Sequence, residues 1–179
     1  MEAKKIAFGG IMVALSTLIL YFSAIIPINT IAILTVASSI IPICIIRTNL
    51  QTSIIVYLAS SILSFFITPI NIAILYSLFF GFYGIIKYWI EKKQNITIET
   101  IFKLLYFNIV FIIGFIIMEK ILGLSLTTGI EQILNRFFSN GRTVISYMLI
   151  WFVGQIVFII YDYALTEIIT FYMEKIHKK

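Results

Sequence analysis

The chain has 179 residues, of which 61% are hydrophobic and only 12% charged, with a mean hydropathy of +1.07. Soluble domains run at roughly 45–50% apolar and about 25% charged, so a water-soluble globule of this size is excluded. The net charge of +5 would point to nucleic acid in a soluble protein; here its distribution along the chain carries the information.

The basic start, Met1 to Lys5, runs into an apolar stretch without a convincing small-residue cleavage site, so it reads as a retained first helix rather than a secretory leader. A bilayer-spanning helix needs about 20 mostly apolar residues, and breaks fall at Pro, Asn and charged positions. The pattern predicts helices at about 5–26, 31–47, 51–68, 70–90, 99–122 and 143–170. The second is short and holds Pro42, so it is expected to be slanted or irregular. Pro27 and Pro69 open turns, each within Pro-Ile-Asn. The expected fold is all-α: one domain, residues 1–179, of six transmembrane helices in a single compact bundle.

On the first helix, Ala3, Ala7, Gly10, Ala14, Thr17 and Tyr21 share one face. Small residues let helix backbones approach closely in lipid, where burial alone drives association weakly. Such a stripe either packs against a helix of the same chain or docks another membrane protein.

The connection 123–142 is the one long loop. Its apolar residues recur at 3–4 spacing, as in a short interfacial helix or a lid. With the N-terminus inside, ten Lys and Arg residues lie on the cytoplasmic side and only Lys120, Arg136 and Arg142 outside. This positive-inside bias places both termini in the cytoplasm and the long loop outside.

Several chemistries lack their residues. There is no Gly-x-x-x-x-Gly-Lys-Ser/Thr phosphate loop, no Gly-x-Ser-x-Gly elbow and no His-Glu-x-x-His motif. The single His177 sits in a Lys-rich tail, and the single Cys44 excludes an intrachain disulfide. An enzyme is not expected, nor is a metal or cofactor.

Polar residues inside the spans concentrate in the last three helices. Tyr147, Trp151 and Gln155 recur at i, i+4 and i+8 on the sixth, where amide and indole groups beside aromatic rings suit a small ligand. An interfacial aromatic belt with one interhelical hydrogen bond from Gln155 is the competing reading. Asn108 in helix five and Tyr76 in helix four complete this expected substrate site, with Arg136 and Arg142 closing from the loop. The aromatic run Phe79, Phe80, Tyr83 reads as packing. Asp162 either snorkels to the interface or meets Lys87 or Lys103.

Six helices, internal termini and a basic start leading into Gly10-Ile-Met-Val-Ala14 resemble the substrate-binding S components of energy-coupling factor (ECF) transporters. The stretches Leu75-Tyr-Ser-Leu-Phe-Phe-Gly-Phe-Tyr83 and Ile160-Tyr-Asp-Tyr-Ala-Leu-Thr166 are similar to those of membrane proteins of this type. Members of the family carry an Ala-x-x-x-Ala stripe on helix one; here Gly10 stands at the first position. The His-bearing N-terminus of the nickel and cobalt members is missing, so the vitamin-type members are the nearer likeness. The resemblance implies a cell-membrane subunit that captures a small micronutrient, a vitamin or precursor, from outside. It implies docking through Ala7, Gly10 and Ala14 on a transmembrane coupling subunit served by two cytoplasmic ATPases. The alternative is a structural envelope scaffold resembling the rod-shape protein MreD, without a small-molecule ligand.

Overall fold

The computed structural model describes residues 3–123 and 142–177. These form six long helices: α1 (Ala3–Ile25), α2 (Thr30–Arg47), α3 (Leu50–Ile67), α4 (Ile70–Glu91), α5 (Ile96–Ile121) and α6 (Arg142–Tyr172). Each is long and apolar enough to cross a bilayer, and no strand occurs among the described residues. Large apolar side chains such as Ile11, Leu18, Phe66, Ile112 and Phe152 cover the outside, as a lipid solvent requires. The expected interfacial helix or lid over 124–141, with Arg136, lies outside the described residues.

Short polar signals mark the helix ends. Asn49 Oδ1 accepts from the Thr52 amide at 2.8 Å to open α3. Asn95 does the same for Thr97 and Ile98 at the start of α5, where Glu99 faces the positive end of the helix dipole. Gly123, at φ +65°, closes α5 in the left-handed conformation that glycine adopts without penalty.

α2 corrects the expectation of irregularity. It stays helical through Pro42, and more than half of it is buried, so it forms the axis of the bundle. Pro42 lies against Gly84 of α4, where an added Cβ would sit 3.0 Å from its ring. Tertiary packing on all sides offsets the lost backbone bond. Thr35, Ser38 and Ser39 turn their hydroxyls back onto carbonyls of Ile31, Thr35 and Val36, so a buried polar stretch stays satisfied.

The internal seam of α1 is not the stripe singled out from its sequence. Gly9, Ser16, Leu20 and Ser23 are the buried residues, with Gly9 against Thr52 and Val56 of α3. Ser16 and Ser60 both bond the hydroxyl of buried Tyr76, at 3.0 and 2.9 Å, tying α1, α3 and α4 together. Ala3, Ala7, Gly10 and Ala14 face outward instead, and a Cβ at Gly10 would meet nothing within 4 Å. Thr17, further along the stripe, is half-buried, so the chain leaves most but not all of that face unpacked.

Candidate functional site

A cavity of about 650 Å³ lies between α4, α5 and α6, with Ile31 of α2 at its edge. It reaches from Asn71, Met118 and Gly123, at the end where α4 begins and α5 finishes, inward to Phe107, Phe158 and Tyr161. In the orientation expected from the charge distribution, that first end is external. The volume falls within the range of about 300–1,000 Å³ usual for small-molecule sites.

The α4 wall depends on a wide turn. Residues Tyr76–Gly81 are π-helical, and both consecutive rings, Phe79 and Phe80, line the cavity. A π-turn disturbs the regular carbonyl ladder, and three tyrosines from neighbouring helices supply donors. Tyr57 donates to the Ser77 carbonyl at 2.8 Å, Tyr106 to those of Leu78 and Phe79 at 2.7 and 3.2 Å, and Tyr161 to that of Phe80 at 3.1 Å. The turn is therefore held from α3, α5 and α6 at once, which fixes where the two rings point.

The α5 wall is a ladder. Phe107, Phe111 and Phe115 recur every four residues; successive rings are 5.5 and 6.1 Å apart and tilted by 34° and 26°. Two glycines seat these walls. A Cβ on Gly114 would come within 2.9 Å of the Phe79 ring, and one on Gly154 within 3.1 Å of Phe107 and 3.3 Å of Phe111. The floor is a cluster of rings: Phe80 and Phe158 lie 4.7 and 6.4 Å from Tyr161, and Tyr83 packs on both Phe158 and Tyr161.

Beneath that floor is a network of ions, buried at Lys87 and partly exposed at Lys103, Asp162 and Glu91. Lys87, only 1% exposed, donates to Asp162 Oδ1, to Thr166 at 2.8 Å and to Glu91 at 2.7 Å. Lys103 bridges Glu91 and Asp162 at 2.9 and 3.0 Å, and Tyr83 donates to Asp162 at 2.7 Å. Two cations and two anions thus cancel within the network, joining α4, α5 and α6. Asp162 does not snorkel; it meets both lysines named in the sequence reading.

The expected site residues divide. Asn108, Trp151 and Gln155 are brought together, since Asn108 Oδ1 accepts from Trp151 Nε1 at 2.8 Å and Gln155 Nε2 at 3.1 Å. Asn108 in turn donates to the Leu104 carbonyl at 2.8 Å. This is an α5–α6 link beside the cavity rather than part of its lining, because one amide oxygen satisfies both donors where water is scarce. Tyr147 sits near the α6 start, its ring edge-on to Phe115 at 5.3 Å and its hydroxyl 3.5 Å from Glu119. Tyr76 is fully buried, and it too is absent from the lining because its hydroxyl turns toward Ser16 and Ser60. Arg142 opens α6; Arg136 is outside the described residues. The sequence reading thus found the helices that enclose the cavity but took the polar face of α6 for the lining. Gly154, Phe158 and Tyr161, at 3–4 spacing one step around α6, are the signal that would have found it.

Among the described residues, no group of His, Cys, Asp and Glu could hold a metal ion. Comparison with protein-family models, with curated proteins and with solved structures gives no match.

Proposed function

We propose that this chain is the membrane-embedded substrate-binding subunit of an ECF-type importer. It takes up a small micronutrient, a vitamin or precursor, from outside the cell, with both of its termini cytoplasmic. The observation that carries the reading is the cavity between α4, α5 and α6, which extends to the expected external end and is lined by rings. A ligand held there would be positioned by ring walls, one of them carried by the tyrosine-braced turn.

The outward stripe of α1 supports the second half of the proposal. Ala7, Gly10 and Ala14 lie on a helix that contributes nothing to the cavity lining. The coupling subunit would approach this face, its backbone close to that of α1, and two cytoplasmic ATPases would drive release of the captured solute. The chain would bind and reorient, leaving nucleotide chemistry to its partners.

The test compares adjacent glycines. Gly10→Leu with Ala14→Trp adds bulk where nothing stands within 4 Å of the Gly10 Cβ position, so the fold and the cavity should persist. Gly9→Leu pushes on Thr52, 3.1 Å away, and should lower stability. The account expects the first variant to keep its thermal midpoint while losing ATPase activity that co-purifies with the wild type. Retention of that activity would remove the docking role from this face. Purified wild-type protein with neither ligand nor ATPase would favour the scaffold reading.

A further inference from the structure

Building on that reading of the cavity, we infer that its solute is an uncharged compound built on one or two fused planar rings. Seven of the sixteen lining residues are Phe or Tyr, and no Lys, Arg, His, Asp or Glu lines the cavity among the described residues. The ion network lies behind the ring floor, and each of its charges already has a partner of opposite sign. The Tyr161 hydroxyl is engaged with Ser38 and the Phe80 carbonyl, so the cavity meets its ring. The side-chain amide of Asn71, exposed at the mouth, is left to orient a polar substituent.

Both halves of the inference follow from those walls. A carboxylate or ammonium moved into them would give up its hydration and gain no counter-charge from the described lining, which opposes binding strongly. The Phe107, Phe111, Phe115 ladder lines one side of the cavity with rings at small mutual tilt, a wall that suits a flat ring better than a flexible chain. Gly114 seats the Phe79 ring: an added methyl would stand 2.9 Å from that ring, which must shift, and both residues line the cavity.

The experiment uses the full chain in lipid nanodiscs, with empty nanodiscs subtracted, and four probes followed by equilibrium dialysis. Naphthylmethanol, naphthoate and naphthylmethylammonium share one ring system and differ in charge; dodecanol is neutral and flexible. Expected is saturable binding of naphthylmethanol, at least about tenfold tighter than of either ion or of dodecanol. Gly114→Ala should weaken it. Val157→Phe, which enlarges a side chain of the α6 wall, should abolish it at an unchanged thermal midpoint. If naphthoate or naphthylmethylammonium binds as well as the alcohol and Val157→Phe abolishes that binding, the site stands and the uncharged class is overturned. Equal binding of dodecanol, again lost in Val157→Phe, overturns the planar class alone. Saturable binding that survives in both variants removes the cavity as the site. No saturable binding of any probe overturns the inference outright.

Discussion

Replacing Asp162 by asparagine tests whether the ion network holds the three cavity helices together. The wild-type cluster sets Lys87 and Lys103 against Glu91 and Asp162; the amide leaves two cations with one anion, in a place where Lys87 is almost fully buried. At the 3.0 Å separation of Lys103 and Asp162, the gross attraction is about 5 kcal/mol for an effective dielectric near 20. Desolvation offsets part of it, and breaking one member of a buried pair costs about 3–5 kcal/mol net. The introduced amide would still accept from Tyr83, and the Asp162 side chain is 22% exposed, so the expected loss lies near the lower figure, about 3 kcal/mol. Combining Lys87→Met with Asp162→Leu removes one charge of each sign and leaves Lys103 with Glu91 at 2.9 Å. That double variant should recover more than half of the loss, because an apolar pair of similar volume often matches a buried ion pair. Equilibrium unfolding in mixed micelles measures both. A single-variant loss below about 1 kcal/mol, or a double variant no more stable than the single, would refute the reasoning.

Two further outcomes follow from the same geometry. Asn108→Leu leaves Trp151 Nε1 and Gln155 Nε2 without their acceptor, and should cost about 1–2 kcal/mol in the same unfolding assay while naphthylmethanol binding is unchanged. A loss of binding without a loss of stability would return this face to the site. Single cysteines at Asn29 and Asn71, in a chain with Cys44→Ser, should react with an impermeant maleimide on intact cells, and one at Gln94 only after lysis; the reverse pattern would invert the orientation.

The six helices were legible because each signal is local: a long apolar run, a Pro or Asn at its end, a charge beyond it. Observed bounds such as Ile70–Glu91 and Arg142–Tyr172 lie within a residue or two of the spacing-based ones. The side chains around the cavity were harder to read. An apolar residue in a membrane helix faces lipid, a neighbouring helix or a cavity with the same composition, so Phe107 and Phe111 carry no mark that separates them from Phe102. Polar residues stand out in such a sequence, yet Trp151 and Gln155 both donate to Asn108 in the structure rather than lining the cavity. The stripe on α1 shows the converse. Two lines of small residues run along that helix, and the positions of the neighbouring helices decide that Gly9 and Ser16 turn inward and Gly10 and Ala14 outward. The contact of Asp162 with both lysines joins residues 59 and 75 positions apart, and no local pattern fixes such a meeting.

That the cavity serves a solute is tested most directly by the mass of the protein as it leaves its own membrane. Native mass spectrometry of the chain, extracted in mild detergent from the cells that make it, should show one small molecule of discrete mass per protein. That adduct should be absent from Val157→Phe, which enlarges a side chain of the cavity lining. Bare protein accompanied only by lipid masses, the same in wild type and variant, would contradict the account.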